Sequence, residues 1–492
     1  MGVSASAVSR VTGVEVTPKN FNTGNASMLP QRLVIIGQGN DDVLYPLEKY
    51  ECEGSAASVA ERYGYGSPLH LAAKQLFPTA GAMATFPVSI IAVKIAETGF
   101  AKASGSVTVA GTATAAASCV LSVGGLDVQI AVAKDATAEQ VANDIAVAVN
   151  AETDRAVDAV ASDGTVTLTA KWSGALGNRI SLEWSGDIPG MTQALTAFTG
   201  GAGVPKVDEA LASIGEVWET FILDTFDYKT DDGAASPLLD VYQVFGEGRW
   251  SVLEKKGCLV AHGCTDDYAT RTKVTDARPD DRINCMIESV GSPELPFVVG
   301  ANGLLSILTT ADSNPAQNYK GKLTGLKRGP DAAQEAYTVR NQSVQKGAST
   351  NITSGSVAEL NDIITFYHPA GGGKYPAWRY VVDCVKLMNI VYNLRLITES
   401  DEVKGAPLVP DEQVTSNPTA LQPKTFRTWF ANLAASLGDN ALISDVDFTV
   451  KNLEVGIDKE NPKRLNYVFP CKVSGNVEVV SGDVYFGQYV GA

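Results

Sequence analysis

The apolar positions of this 492-residue chain change texture twice along its length. Leu33 to Gly37 is an unbroken apolar run between polar neighbours, the pattern of a short strand buried on both faces. Residues 55–63 and 68–77 predict helices, and residues 87–95 a second strand. Between about Gly99 and Gly203 the runs become short and alternating: 107–109, 119–123, 128–132, 166–169 and 180–184, separated by turn signals such as Gly124-Gly125 and Ser162-Asp163-Gly164. Only residues 136–150 are helical there, with Val141, Ile145 and Val149 at four-residue steps. A small β-rich domain is therefore inserted into an α/β unit, entered at Glu97-Thr98-Gly99 and left at Gly200-Gly201-Ala202-Gly203.

From Val204 helix and strand alternate again. Helices are predicted over 205–214, 238–255, 267–275 and 295–308, and strands over 221–223, 258–261 and 283–287, which implies a largely parallel sheet. Residues 312–356 are polar and read as loops with short strands around Tyr337 to Arg340. A long helix follows from Pro376, with Ala377, Tyr380, Val381, Cys384, Met388 and Val391 on one face and Arg379 spaced to pair with Asp383. A further helix is predicted over 423–437, with Phe426, Phe430, Leu433 and Leu437 on one side and Gly438 just past its end. Lys424 and Arg427 fall near the start of that helix, where the dipole disfavours cations, and no acid within the helix offsets them.

The last thirty residues read as two strands. Leu465, Tyr467, Phe469, Cys471 and Val473 alternate with less apolar neighbours, Ser474-Gly475-Asn476 turns the chain, and residues 484–490 form a tail apolar on both faces. A terminal strand this apolar requires a sheet to join, in this subunit or in another. At the other end, residues 7–25 read as an arm, with Val11 and a short strand over Val14-Glu15-Val16 ahead of a flexible link.

Composition narrows the function. With 45% apolar and 19% charged residues the chain can bury several cores, roughly three domains at about 150 residues each. A net charge of -16 repels phosphate backbones and anionic lipid, so direct nucleic-acid binding is not expected and protein partners are. Seven scattered cysteines predict free thiols and folding in cytoplasm. No secretory leader and no apolar stretch of membrane-spanning length is read, so a soluble chain without membrane insertion is expected. Met1-Gly2-Val3-Ser4-Ala5-Ser6 meets the myristoylation pattern, which is short enough to arise by chance.

Candidate chemistry is sparse. Asp224, Asp227, His262, Asp266 and Glu288 fall near the carboxyl ends of predicted parallel strands, where α/β enzymes place their sites. Acids at such positions also cap helices and end strands, and that is the preferred reading. No Walker loop, Gly-x-Ser-x-Gly elbow or paired histidine motif accompanies them. The three histidines, His70, His262 and His368, have no local partners. No catalytic residue, cofactor or metal is expected. Two alternatives stay open: a hydrolase-like or metal-dependent enzyme, which requires Asp224, His262 and Asp266 to converge in a pocket, and a surface-glycan binding module in the insert.

The order of elements resembles the contractile tail sheath proteins of Mu-like bacteriophages. The resemblance rests on the arm with Val14-Glu15-Val16, the strand at Leu33, the glycines at 200–203 before a helix, Ile363-Ile364-Thr365-Phe366-Tyr367, the block 375–400, and Asn461-Pro462-Lys463-Arg464-Leu465 before the closing strands. It is closest from Val357 onward. It implies a non-enzymatic virion tail protein, assembled in the host cytoplasm, whose copies form a helical sheath around an inner tube and contract to drive the tube through the host envelope. Its partners would be itself, the tube protein, and baseplate and tail terminator proteins. It further implies that terminal strands enter the sheets of neighbouring subunits, here through Val11, Val14 and Val16 and through Val484, Phe486, Gln488 and Val490, and that Lys424 and Arg427 face the tube. The expected architecture is multidomain, α/β and α+β: an arm (1–25), a discontinuous α/β domain (26–99 and 200–356), an inserted β-rich outer domain (100–199), and a C-terminal α+β domain with its strand arm (357–492).

Overall fold

A computed structural model describes residues 26–41, 45–96, 98–370, 377–478 and 480–487. Val11, Val14, Val16, Gln488 and Val490 lie outside the described residues. The chain divides into two compact units. One holds Met28–Asn389 with the chain from Gly475 onward, and the other holds Ile390–Ser474 with the chain just ahead of Met28.

The larger unit is built on a six-stranded sheet. Its first strand, β1 (Leu33–Gly37), is buried at every residue, as its continuous apolar run predicts. After the short β2 (Lys49–Glu51) come α1 (Ala56–Tyr63), capped by the Ser55 side chain, and α2 (Pro68–Leu76), capped by Ser67 with proline in its first turn. Then β3 (Val88–Ala92) returns beside β1.

The insert follows, with β4 (Lys102–Gly111), β5 (Ala117–Val123), β6 (Leu126–Val132), α3 (Ala138–Asn150), β7 (Val157–Ser162), β8 (Thr165–Ser173), β9 (Leu182–Ser185) and β10 (Met191–Thr199). They make an antiparallel sheet ordered β10-β4-β8-β7 and a second ordered β6-β5-β9. Helix α3 opens on a reciprocal capping box between Thr137 and Gln140 and buries Val141, Ile145 and Val149. The β-rich texture is as expected; β7 and β10 are strands the alternation alone did not mark. β10 alternates residues that are mostly exposed on both faces, so it carries no apolar stripe to read.

Beyond the insert the chain forms α4 (Asp208–Ala212), β11 (Phe221–Asp224), α5 (Leu238–Arg249), β12 (Leu259–Cys264), α6 (Tyr268–Thr275), β13 (Asn284–Glu288) and α7 (Pro296–Ser313). The sheet order is β13-β12-β11-β1-β3-β2, parallel except for β2 at its edge. Helix α7 runs five residues past the expected Leu308, and α4 is shorter than predicted.

A clear correction concerns residues 337–345, expected as loop and strand and found as the helix α8 (Tyr337–Gln345). Its apolar positions are few and only Ser343 is buried, so no helical stripe was there to read. β14 (Thr350–Ser354) and β15 (Val357–Asp362) pair antiparallel, and α9 (Val381–Thr398) begins after the stretch 371–376, which lies outside the described residues. Asp383 meets Lys386 Nζ at 3.2 Å.

In the smaller unit, α10 (Pro423–Asp439) and α11 (Val446–Lys451) stand with a two-stranded ribbon of β16 (Glu454–Ile457) and β17 (Leu465–Val468). Phe426, Phe430, Leu433 and Leu437 are buried as expected, whereas Gly438 lies inside the helix and Asn440 caps it. The closing strand stops at Val468, short of the alternation that runs to Val473, and residues 484–487 form no strand. Pro470 ends the ladder, since it has no N–H to donate.

Close backbone approach locks α7 to the sheet. A Cβ on Gly263, next to the end of β12, would stand 1.6 Å from the carbonyl oxygen of Pro296. Gly263→Ala is expected to destabilise the larger unit by about 1–3 kcal/mol through overpacking. Chemical denaturation of the monomer checks this, and an unchanged midpoint would refute it.

Candidate functional site

Taken in chain order, the five parallel strands run 2-1-3-4-5 across the sheet, and the order reverses between β1 and β11. Ligands of open α/β sheets bind at that point, beyond the carboxyl ends of the strands. Asp224 ends β11 there, and His262 lies beside it on β12. The His262 Nδ1 is 3.1 Å from Asp224 Oδ2 and its Nε2 is 2.9 Å from Asn284 Oδ1. Tyr242 donates to Asp224 Oδ1 at 3.0 Å. Asp224, His262, Tyr242 and Asn284 are all 0% exposed, so the network ties α5, β11, β12 and β13 together out of reach of a substrate.

The other acids go elsewhere. Asp266 takes Arg179 Nη2 at 2.7 Å and the Tyr228 hydroxyl at 2.9 Å, and Asp227 takes Arg179 Nε at 3.1 Å. Burial raises the Asp227 carboxyl against the pull of Arg179 and Lys229. Glu288 meets Arg271 Nε at 2.9 Å and accepts from Asn351 N at 3.1 Å. A cavity of about 150 Å³ lies at this edge, lined by Gln38, Gly174, Gly203, Phe226, Asp227 and Lys229 among others, but not by Asp224, His262 or Asp266. The convergence that an enzyme reading requires of those three residues is absent. Among the described residues no cluster of three or more His, Cys, Asp or Glu could hold a metal. All seven cysteines are free thiols, and no helix of the described residues is long and apolar enough to cross a membrane.

Arg179 belongs to the insert and its acids to the sheet, so the pair joins two parts of the unit. Three further ion pairs do the same: Lys74 with Asp154 at 2.7 Å, Asp41 with Lys102 at 3.1 Å, and Lys327 with Asp127. Sequence reasoning missed these residues because each partner lies 61–200 positions away, beyond any local spacing rule. Glu294 sits under the insert's Gly124-Gly125 turn, where a Cβ on Gly125 would fall 2.3 Å from its carboxylate. Burial pushes the Glu294 carboxyl up to about 7, opposed by the Lys327 N–H and ammonium and aided by Asp127.

The terminal residues are placed differently. Val484 is 87% exposed and Phe486 97%, in a stretch without strand structure. Of the two cations on α10, Lys424 donates its backbone N–H to Asp411 Oδ1 at 2.8 Å and its Nζ to the Asp411 carbonyl at 3.1 Å. Asp411 thus supplies, from outside the helix, the acid missing from its first turn. Arg427 donates to the Val455 carbonyl of β16 at 3.1 Å. Among the described residues the ribbon has no third strand, and Tyr467 and Val468 are 39% and 54% exposed.

The class defined is that of a mixed α/β, multi-sheet protein whose strand-end acids are tied up by internal polar partners. No protein-family model matches the sequence. Over 375 residues, 74% of this chain and 75% of the relative, it is 24% identical to the tail sheath protein of the Mu-like prophage FluMu of Haemophilus influenzae. Among solved structures it is similar to a sheath tail protein of Desulfitobacterium hafniense (TM-score 0.46, 13% identity, 94% of this chain and 100% of that one). It is likewise similar to one of Listeria innocua (TM-score 0.49, 11% identity, 92% and 94%). Over about three quarters of its length the chain is thus similar to a Mu-like tail sheath protein, in keeping with the resemblance read from its residues.

The raised Glu294 carboxyl gives a pH dependence of definite sign. The folded state holds the proton more tightly than the unfolded chain, so this group's contribution is full below about 4.5 and falls away as pH rises to about 7. Glu294→Gln is expected to flatten that decline and to gain on the order of 1–3 kcal/mol at pH 8. Melting curves of both proteins from pH 5 to 8 check it, and parallel pH profiles would refute it.

Proposed function

We propose that this chain is the sheath subunit of a contractile phage tail, polymerising as a helix around an inner tube and contracting to drive that tube through the host envelope. The likeness to a curated tail sheath protein along three quarters of both chains carries the reading. The ends of the chain supply the chemistry of linkage. A two-stranded ribbon held on one side by a helix, as here by Phe430 and Arg427 of α10, gains stability from a third strand. The β17 edge, Leu-Asn-Tyr-Val, carries no charge, whereas β16 carries Glu454 and has the Val455 carbonyl engaged by Arg427. Edges that natural proteins keep from pairing usually bear charges, so β17 is the edge open to an incoming strand.

The strands to be added are the terminal ones, Val11, Val14 and Val16 at one end and Val484, Phe486, Gln488 and Val490 at the other. Leaving Val484, Tyr485 and Phe486 in water forgoes about 1.5–3 kcal/mol for each side chain. About five added backbone bonds would contribute a few kcal/mol more at each link. The partners in this reading are further copies, the tube protein, and the baseplate and terminator proteins that bound the sheath, in a virion tail assembled in the host cytoplasm.

Deletion of residues 484–492 is expected to leave a folded monomer that forms no tubes, and Leu465→Pro, which removes an outward-facing N–H of β17, is expected to do the same. Electron microscopy after sedimentation checks both, and normal tubes from either would sink the linkage. For α10, the proposal is that Lys424 and Arg427 face an acidic surface of the tube. Lys424→Glu spares the Arg427 bond to the ribbon, so the melting temperature should shift by no more than a few tenths of a kcal/mol equivalent while coating of tubes drops and becomes insensitive to salt. Undiminished coating at moderate salt would show that this end of the helix does not meet the tube.

A further inference from the structure

The insert is joined to the sheet-bearing body by two chain crossings that lie side by side. Ala101 and Ala202 exchange both backbone hydrogen bonds, at 3.0 and 3.1 Å, so the two passages form one narrow stalk. Gly99, Gly200 and Gly203 flank it with φ of +82°, +82° and +95°, a region in which glycine turns without strain. On the far side of the stalk the insert has its own core of two sheets and α3, with Trp172, Leu121 and Ile145 at 0% exposure.

Ion pairs and hydrogen bonds recur along the contact between insert and body. Three of its five ion pairs have both side chains 36–43% exposed, where ionic strength screens them, and the two Arg179 pairs are the more buried latch. The cavity of about 150 Å³ lies in the same seam, between the insert's Gly174 and the body's Asp227. Gln38 Oε1 and Asp227 Oδ1, buried there, have no hydrogen-bond partner. Opening such a seam exposes groups that water satisfies, unlike opening an apolar interface. Apolar contact in the seam comes from Leu295 beside Gly124 and from Leu176 and Phe226 around the cavity.

We propose that the insert is a hinged rigid body, clasped to the sheet domain by this polar seam and able to swing about the Ala101–Ala202 stalk without unfolding. Arg179 is the latch, because it alone spans two body carboxylates, Asp227 and Asp266. The inference stands apart from the sheath reading, since it concerns the monomer.

The test uses the full chain with spin labels at Val160→Cys in the insert and Tyr337→Cys in the body, both highly exposed, and with Cys52 and Cys471 changed to serine. Pulsed electron-spin resonance should give one narrow distance in low salt. In about 1 M NaCl, where the Debye length is about 3 Å, the distribution should broaden about twofold. Arg179→Gln should broaden it already in low salt. Lys327→Asp should do so too, and adding Asp127→Lys should restore the narrow distance, which keeps the test valid if Arg179→Gln does not fold. A narrow distance under every condition overturns the hinge. Broadening accompanied by lost hydrogen-exchange protection in α3 and β8 also overturns it, because the insert would then be melting.

Discussion

Placing the first strand of the chain in the middle of the main sheet constrains everything that follows. β1 has β3 on one side and β11 on the other, so between those two neighbours the chain must pass from one half of the sheet to the other. The connection cannot be short, because parallel neighbours need a crossover of a dozen or more residues. In this protein it carries an entire domain. The insert therefore starts and ends over the carboxyl edge at the point where the strand order reverses, the place where an α/β enzyme would hold its ligand. Its 3₁₀ turn Ala175–Arg179 lies against that edge, and Arg179 pairs with the Asp227 and Asp266 carboxylates there. The position that usually makes this architecture a catalyst is used instead to attach a second globular part.

The same burial explains the closed network around His262. A strand covered on both faces has no water to satisfy a polar side chain, so each polar group it carries must be matched from a neighbouring element. His262 is matched by Asp224 and Asn284, and Asp224 in turn by Tyr242 and the Phe226 N–H. Arg271, fully buried on α6, is matched by Glu288, Glu335 and Ser343. Removing one member of such a set leaves the others unpaired in a low-dielectric interior, which costs more than the bond contributed. These residues hold the register of helices against strands, and their sequence signature is indistinguishable from that of a catalytic set.

Legibility from sequence follows the strength of each local signal. β1, β3, β11, β12 and β13 were readable because a doubly covered strand is an unbroken apolar run, α1, α2 and α3 because capping residues and apolar stripes agree, and α10 through its apolar stripe and first-turn proline. The helix α8 was not, since a helix that buries only Ser343 has no stripe. The extent of β17 was overread because alternation continues to Val473 while Pro470 interrupts the ladder. For the candidate site, the strand-end acids were visible, but their partners were not. Whether Asp266 faces a substrate or Arg179 depends on how the insert folds back, and 87 residues of intervening chain hide that.

Charge bears on how such a chain can assemble at all. A copy with a net charge of -16 repels its neighbours at every approach, and the exposed pairs on its surface recover little of that in salt. Contacts in the proposed lattice must then come from groups whose attraction does not depend on net charge. Backbone hydrogen bonds are such groups, and the stretches in question are nearly neutral: Leu465–Val468 has no charged residue, and the tail from Val484 to Ala492 has none either. A strand added along β17 also contacts its host through one element only, leaving the bodies of the two copies free to change their mutual orientation. Linkage by neutral strands and repulsion between acidic bodies thus act on different parts of the chain, and a lattice built from both can hold together while the space between its subunits alters.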